Sequence, residues 1–214
     1  MSAGRSAAGR RLRRDAEANR EKILGVADRL FAERGLGVSH HEIAQAAGVA
    51  VGTVYRRFPD KSALVAALFT EQVGQVVEAA ESALLVEDPW AAIVQFMTTV
   101  LEMQAGSRGL RELSAGDPHG QELARYARER VAPVVTALVG RGHAAGVLRP
   151  GVAEQDLALV PIMVGAVIQA SRGTDPELWR RCLSIVLEGL RDGQPAPLPA
   201  SAPSDEQIGR MLSR

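Results

Sequence analysis

The chain has 214 residues, of which 46% are hydrophobic, so it can form one domain or two small ones around a substantial core. Only 4% are aromatic, and Ala, Leu and Val dominate, which favours packed helices over sheets. There is no run of 18 apolar residues and only one cysteine, Cys182, which excludes a membrane-spanning helix and an intrachain disulfide framework. We therefore expect an all-α cytoplasmic protein with no membrane partner.

Charge is unevenly distributed along the chain, although the formal net charge is zero. Residues 1–65 contain 12 Lys and Arg against 7 Asp and Glu, whereas residues 66–214 contain 13 against 18. This split indicates that the N-terminal third meets a polyanion. Residues 1–14 show no hydrophobic periodicity and are predicted to be a flexible basic arm. They lack the apolar stretch of a secretory signal, and the alternative is that the arm is simply solvated.

The first predicted helix spans residues 15–34 and ends at Gly35 and Gly37, since glycine terminates helices. Apolar residues recur along it at helical spacing, so one face is predicted to be buried. These residues are Ile23, Ala27, Leu30 and Phe31.

Two shorter helices follow. Ser39 and Glu42 have the spacing of a capping box, which predicts a helix that ends at Ala47. Gly48 breaks this helix, and a second helix is predicted over residues 51–58, until a proline stops it. Two short helices joined by a tight glycine turn are a helix-turn-helix pattern.

The second short helix has two predicted faces. Val51, Val54 and Phe58 are spaced i, i+3 and i+7, which indicates a buried stripe. The residues off this stripe are suited to DNA. They are Gly52, Thr53, Arg56 and Arg57.

Each residue of the polar face fits a distinct contact. Gly52 lets the backbone approach a surface closely, and Thr53 offers a hydroxyl and a methyl to a base edge. Arg56 and Arg57 can reach phosphates or guanine. Tyr55 can donate a hydrogen bond from its hydroxyl to a phosphate while its ring packs against the protein.

A longer helix is predicted to begin after Asp60, which can cap it. Lys61 lies in its first turn, where a cation opposes the helix dipole, so its presence makes sense if a phosphate binds there. The inward-facing residues of this helix are predicted to be Leu64, Ala67, Leu68, Val73 and Val77.

Ile43–Leu64, which reads IAQAAGVAVGTVYRRFPDKSAL, resembles the TetR family of bacterial regulators through the pattern I-A-x-x-A-G-V-x-x-G-T-[VL]-Y-x-x-F-x-x-K-x-x-L. The preceding ILGVADRLFAERG is similar to the family's first helix, so the resemblance covers roughly residues 17–66. It implies a three-helix DNA-binding domain over residues 15–62. It also implies a larger helical domain over residues 63–193 that binds a ligand and dimerises.

Two departures from the family pattern matter. Ala50 stands where Ser or Thr usually caps the recognition helix. The missing cap is expected to cost about 1 kcal/mol of helix stability. Alternatively, the Val49 carbonyl region and a bound phosphate take the place of the cap. His40 and His41 lie at positions near the groove, and the position of His41 is often Arg. Since His gains charge on acidification, operator affinity is predicted to rise toward pH 6; alternatively, both are polar residues with no special role.

The remaining two-thirds of the chain is also predicted to be helical, with no strand pattern. Asp88-Pro89 and Asp117-Pro118 open helices that end near residues 105 and 145, and Thr174–Pro176 caps a last large helix that ends at Leu190. Another helix spans residues 152–170. Prolines 133 and 161 lie inside helices, and residues 106–113 form a linking turn or short helix. Residues 194–214 are Pro- and Ala-rich and are predicted to be a disordered tail with at most a weak final helical turn.

The family resemblance implies a homodimer formed by the last two large helices. Wide apolar faces on these helices agree with it, although a monomer could bury them internally. The candidate interface residues are Leu157, Val160, Val164, Ile168, Leu178, Leu183, Val186 and Leu190.

The resemblance also implies a small-molecule pocket among the middle helices. Methionine suits variable apolar ligands, but Met and aromatic residues at helical spacing are also typical of a core. His119 and Arg130 are possible polar anchors or ordinary surface residues. The candidate lining residues are Phe69, Val73, Trp90, Phe96, Met97, Val100, Met103, Leu113, Tyr126 and Met163.

The family resemblance implies a repressor that binds a palindromic operator in double-stranded DNA as a dimer and is released by a small apolar or amphipathic molecule. A regulator without such a ligand, and an activator, remain open alternatives. An enzyme is not favoured, because no nucleophile elbow, P-loop, zincin or C-x-x-C motif occurs. The four histidines lack metal-ligand spacing, so we expect neither a metal nor a cofactor.

Overall fold

A computed structural model of the protein describes residues 3–106, 120–193, 198 and 201–212. Regular structure within these residues is helical, apart from an isolated β-bridge between Leu148 and Arg191, so the predicted all-α class is confirmed. None of the described helices is long and apolar enough to span a membrane. The predicted cap at residues 117–118 and most of the predicted linker at 106–113 lie outside the described residues.

The chain divides into two compact units, and the division falls after Phe69, a few residues beyond the predicted boundary at Ser62. The first unit contains three helices and the start of a fourth. They are α1 (Ala3–Arg34), a 3-10 turn (Gly35–Gly37), α2 (His40–Ala47), α3 (Val51–Arg57) and α4 (Lys61–Leu84).

The N-terminal segment is helical from Ala3, so the prediction of a flexible arm over residues 1–14 is wrong for the part that the structure describes. The segment is rich in Ala and Arg, which both favour helix. Hydrophobic periodicity could not reveal this helix, because residues 1–14 show no such periodicity.

The core of the first unit comes from all four helices. Predicted inward-facing residues such as Phe31 and Leu64 are at most 1% exposed, and burial of such a side chain contributes roughly 1.5–3 kcal/mol. The buried residues are Ile23, Leu24, Ala27, Phe31, Val38, Ile43, Ala44, Ala47, Val54, Phe58, Leu64, Val65 and Leu68.

The second unit contains the rest of α4 and five further described helices. They are α5 (Pro89–Gly106), α6 (Gly120–Ala144), α7 (Glu154–Ser171), α8 (Leu178–Leu190) and α9 (Asp205–Leu212). The predicted cap of α5 is confirmed: the Asp88 carboxylate accepts hydrogen bonds from the backbone N–H groups of Trp90 at 2.8 Å and Ala91 at 3.2 Å. Arg141 of α6 donates to the carbonyl of Leu84, which ends α4, at 2.7 Å.

Helix α7 packs against α5, α6 and α8. It therefore buries its apolar side chains within the unit. The buried cluster includes Ile93, Phe96, Met97, Leu101, Leu138, Leu157, Val160, Val164, Ile168, Trp179, Leu183 and Leu187.

The C-terminal segment contradicts the predicted disordered tail in its described part. Leu198 packs against the core of the second unit, and α9 packs on α6 and α7 with Ile208 only 6% exposed. Gln155 of α7 also donates to the Asp205 carboxylate at 2.9 Å. Leu198, Ile208 and the Gln155–Asp205 hydrogen bond attach the segment, although its composition is that of a linker.

Candidate DNA-binding surface and effector-binding unit

The capping box predicted for α2 is present. The Ser39 hydroxyl accepts from the Glu42 N–H at 3.3 Å, and the Ser39 N–H donates to the Glu42 carboxylate at 2.9 Å. Arg34 also donates to this carboxylate. Hydrogen bonds from Ser39, with a further contribution from Arg34, lower the pKa of Glu42 from 4.5 to about 2, because they stabilise its ionised form.

The turn between α2 and α3 depends on Gly48. Its φ of +61° is left-handed, a conformation that side-chain-bearing residues rarely adopt. The Val49 N–H donates to the Ala44 carbonyl at 3.0 Å and thereby directs the chain into α3.

Helix α3 begins without a side-chain cap. Ala50 precedes it and makes no capping hydrogen bond with its side chain, as the sequence indicated. The predicted buried stripe is present: Val54 is fully buried, Phe58 is 4% exposed, and Val51 is half-buried. The opposite side of the helix is therefore turned outward.

The outward side of α3 carries most of the predicted DNA-contacting residues. Tyr55 is 44% exposed, and Arg56 and Arg57 are also exposed. A Cβ atom built on Gly52 has no atom within 4 Å, and Thr53 is half-buried. Glycine, hydroxyl, phenol and guanidinium groups thus share one helical surface.

Two of these residues have additional contacts. Arg57 donates to the carboxylate of Glu17 in α1 at 3.2 Å, and both side chains are about half exposed. His41 is exposed and lies edge-on to the Tyr55 ring, with centroids 6.3 Å apart. The proposed pH response of His41 stays a prediction.

Two predicted DNA-contacting residues have intramolecular partners: the burial of His40 contradicts its prediction, whereas the DNA contact of Lys61 stays a prediction. His40 is only 7% exposed, and its Nε2 lies 3.1 Å from the Phe58 carbonyl oxygen. Lys61 is half-buried and donates to the Leu36 carbonyl in the turn after α1. Both side chains therefore contact the protein's own backbone. Their partners lie 18 and 25 residues away in the sequence, so local spacing could not predict these contacts.

The predicted dimer surface is also corrected. The side chains of Leu157, Val160, Val164, Ile168 and Leu183 are at most 4% exposed, because α7 and α8 bury this stripe inside their own unit.

The outward surface of α7 and α8 includes other apolar residues. Leu178 is 40% exposed, while Val186 and Leu190 are half-buried. Sequence reasoning missed Ile185, which is 64% exposed, and assigned Met163, which is 47% exposed, to the ligand pocket. These residues lie off the main apolar stripe, and only the packing shows which apolar residues of each helix remain outside.

The predicted ligand-lining residues do not share one environment. Val73, Phe96 and Met97 are buried, whereas Arg130 is exposed. Leu113 and His119 lie outside the described residues. The half-buried candidates are Phe69, Trp90, Val100, Met103 and Tyr126.

A cleft of about 260 Å³ lies between α5 and α8 in the second unit. Both tryptophans of the chain contribute to it; Trp90 was predicted, but the residues from α8 were not foreseen as pocket residues. The lining residues are Trp90, Val94, Thr98, Trp179, Arg180, Leu183, Ser184, Leu187 and Glu188.

Arginine side chains flank this cleft. Arg180 lies over the Trp179 ring at 4.4 Å and bridges to Glu102 of α5 at 3.0 Å. Hydrogen bonds to Glu177 and then Glu102 raise the pKa of Arg180. Arg191 lies over the Trp90 ring at 5.2 Å. Within residues 3–106, 120–193, 198 and 201–212, no group of three or more His, Cys, Asp or Glu residues is arranged to hold a metal ion.

Two short helices joined at a left-handed glycine, with an exposed aromatic and cationic surface on the second, define a helix-turn-helix DNA-binding protein. Comparisons with known proteins agree. Residues 23–68 match the model for bacterial regulatory proteins of the tetR family, and residues 88–192 match the C-terminal domain of SbtR-like transcriptional regulators.

A TetR transcription regulatory protein from Mycobacterium vanbaalenii has a solved structure that is 34% identical to this chain, with a TM-score of 0.62. The match covers 84% of this chain and 99% of that one. A TetR transcriptional regulator from Streptomyces coelicolor is 29% identical with a TM-score of 0.63, and that match covers 82% and 99% of the two chains. The chain belongs to the TetR family of transcriptional regulators.

Among curated proteins, an HTH-type transcriptional regulator of Staphylococcus aureus (strain USA300) is 44% identical over 54 residues. This match spans 25% of the chain and 29% of the relative, so the chain matches less than a third of this relative's length. FadR of Bacillus subtilis, solved in complex with stearoyl-CoA, shares the fold at 19% identity, with a TM-score of 0.66 over 81% of this chain and 98% of that one.

Proposed function

We propose that this protein is a ligand-responsive repressor that binds a palindromic operator as a homodimer and is released by a small apolar or amphipathic molecule. The observation that carries the proposal is the outward surface of α3, where Tyr55, Arg56 and Arg57 are all exposed. Such a regulator acts on chromosomal DNA, so we place it in the cytoplasm.

The chemistry of this surface divides the contacts into two kinds. Gly52 and Thr53 are small, so the start of α3 can approach base edges in the major groove. Tyr55, Arg56 and Arg57 follow at the end of the helix, where a hydroxyl and two guanidinium groups suit phosphate oxygens. Arg57 reaches DNA after it exchanges the Glu17 carboxylate for a phosphate.

Dimerisation has a mechanical reason. A seven-residue helix reads few base pairs, and a two-fold axis doubles the contacts on a palindrome. Exposed apolar residues of α7 and α8 support an interface: Met163, Leu178 and Ile185 are 40–64% exposed. We assign these three residues to it in place of the buried stripe.

The second unit supports an effector site at the cleft between α5 and α8. Its floor is apolar, with Trp179, Leu183 and Leu187 each at most 4% exposed. Arg180 and Arg191 lie over the two indole rings and are paired with carboxylates, Arg180 with Glu102 and Glu177 and Arg191 with Glu188. A ligand with an apolar body can place its anionic group beside a guanidinium by displacing one of these carboxylates. The complex of FadR with stearoyl-CoA supports an amphipathic ligand of this general kind.

Release of DNA follows from differential affinity. An effector releases the operator only if it binds the DNA-free conformation more tightly than the bound one. Helix α4 contains residues of both units, so we propose that effector binding shifts α4. The shift changes the spacing of the two recognition helices and spoils their fit to successive turns of the duplex.

A regulator without a small-molecule effector is the second candidate. The tight packing of Phe96 and Met97, both 2% exposed, favours it, because these predicted lining residues have no free space beside them for a ligand.

Selection of bound duplexes from a random library by the full chain tests operator binding. The expected result is a palindrome whose half-sites lie about one helical turn apart. Enrichment of no sequence, or of a single half-site bound by a monomer, would contradict the proposal. The variant Arg56→Ala serves as a control, since its weaker binding should reduce the enrichment.

Intrinsic fluorescence tests the effector site, because both tryptophans line the cleft. Stearoyl-CoA and long-chain fatty acids are titrated into the chain bound to the selected duplex, with free CoA as the control. Quenching together with DNA release is the expected result. If none of these molecules alters DNA affinity, the effector-free alternative is favoured over release by this class of molecule.

A further inference from the structure

His40 is a buried histidine that direct DNA contact does not explain. It is the first residue of α2, it is 7% exposed, and its Nε2 lies 3.1 Å from the carbonyl oxygen of Phe58. Because a carbonyl oxygen only accepts hydrogen bonds, Nε2 carries the proton and donates it. This contact joins the beginning of α2 to the residue that ends α3.

Helix α3 has little stability of its own. It has seven residues, and its N-terminal flanking residue, Ala50, makes no side-chain capping hydrogen bond. A helix of this length is not stable by itself, and its last carbonyl groups have no partner within the helix. Its orientation therefore depends on contacts with the rest of the unit. Val51 packs against the core, and Val54 and Phe58 are buried. Arg57 pairs with Glu17, and His40 binds the carbonyl of Phe58 just after the helix.

The same histidine also contacts the exposed surface of α3. The rings of His40 and Tyr55 are stacked, with centroids 4.7 Å apart and planes inclined by 10°. Tyr55 keeps 44% of its surface exposed, so one side of its ring rests on His40 while its surface remains accessible. His40 thus contacts the helix both before and after Arg56 and Arg57.

We propose that His40 is a positioning residue for DNA binding. Its hydrogen bond to the Phe58 carbonyl fixes the last turn of α3, so that Tyr55, Arg56 and Arg57 face the duplex together. The stack on Tyr55 is the secondary contact. This inference rests on the assignment of α3 as the recognition helix.

Two substitutions in the full-length chain separate the hydrogen bond from the stack. His40→Phe keeps a flat ring against Tyr55 but removes the donor, whereas His40→Gln keeps an N–H donor at similar reach but removes the ring. The probes are the duplex enriched in the library selection and a random-sequence duplex at low salt, which binds chiefly through phosphate contacts. Circular dichroism establishes that each variant is folded at the assay temperature.

The expected result is that His40→Phe weakens binding to the enriched duplex about five- to tenfold, the effect of losing one hydrogen bond. His40→Gln should stay within about twofold of the wild type, a rescue that a purely space-filling role would not give. Unchanged affinity of His40→Phe overturns the proposal, and so does an equal loss in both variants.

Arg56→Ala distinguishes failure of this inference from failure of its premise. If Arg56→Ala weakens binding to both duplexes while His40→Phe does not, α3 contacts DNA and His40 does not position it. If Arg56→Ala leaves binding to both duplexes unchanged, the assignment of α3 as the recognition helix fails, and the role of His40 fails with it.

Discussion

Large exposed side chains differ in chemistry between the first unit and the second. In the first unit, Tyr55 lies beside Arg56 and Arg57, and the exposed surface is cationic and rich in hydrogen-bond donors. In the second unit, Met163, Leu178 and Ile185 leave apolar atoms exposed on two neighbouring helices. Phosphates bind favourably to the cationic surface of the first unit. The apolar surface of the second unit gains free energy when another apolar surface covers it. The two exposed surfaces therefore suit different kinds of partner.

The largest effect is expected at the apolar surface of the second unit. Ile185→Glu places a carboxylate within the proposed dimer interface and should convert the dimer to a monomer in sedimentation experiments. Affinity for a palindromic duplex should fall more than tenfold, because one recognition helix then binds alone.

Leu85→Glu is the matched control for this substitution. Leu85 is 87% exposed and lies on neither α7 nor α8, so the variant should remain dimeric. A dimeric Ile185→Glu protein with unaltered DNA affinity would show that the interface lies elsewhere.

The next effect is expected at the cationic surface of the first unit. Arg56→Ala should weaken DNA binding roughly five- to tenfold and reduce the salt dependence by about one phosphate contact. Fluorescence anisotropy at several salt concentrations measures both quantities. Arg130→Ala, an exposed arginine of α6 in the second unit, should change neither; an equal loss in both variants would indicate a general charge effect.

A smaller effect concerns the stability of the first unit. The pKa of Glu42 is about 2 when folded, against 4.5 ordinarily, so its contribution to stability is present above pH 4.5 and is lost as the pH falls toward 2. Glu42→Gln should keep the capping hydrogen bonds but lose part of this pH dependence. Thermal melts at pH 6 and pH 3 measure it, with Glu33→Gln as the control. If the melting temperature depends on pH identically in the wild type and in Glu42→Gln, the Glu42 carboxylate does not contribute to the pH dependence of stability.

The smallest effect is expected from Glu17. Glu17→Gln removes the ion pair that holds Arg57 against α1, and an exposed pair contributes about 1 kcal/mol or less. DNA affinity should rise by at most about fivefold, measured beside Glu21→Gln as the control. Weaker binding by Glu17→Gln would mean that the pair orients Arg57 for DNA rather than competing with it.

Sequence patterns located the helix-turn-helix well because its signals are local. The Ser39 cap, the Gly48 turn and the spacing of Val54 and Phe58 each act within a few residues. The role of His40 was not accessible in this way, since its partner Phe58 lies 18 residues away and is reached only when the chain turns back.

In the second unit, the sequence showed which residues of α7 and α8 are apolar but not which neighbour covers them. Leu157 and Val160 are buried within the unit, whereas Ile185 remains exposed. The choice between an internal neighbour and a second subunit depends on how several helices pack. The helical N-terminal segment was missed for a different reason: its sequence has no hydrophobic period from which a helix could be predicted.

The attachment of α9 has a practical consequence. The Pro- and Ala-rich composition of residues 194–214 suggests that they can be removed by ending the chain near residue 193. Such a truncation removes Leu198 and Ile208, which pack against the second unit. It exposes the apolar side chains that they cover, and exposed apolar surface promotes aggregation.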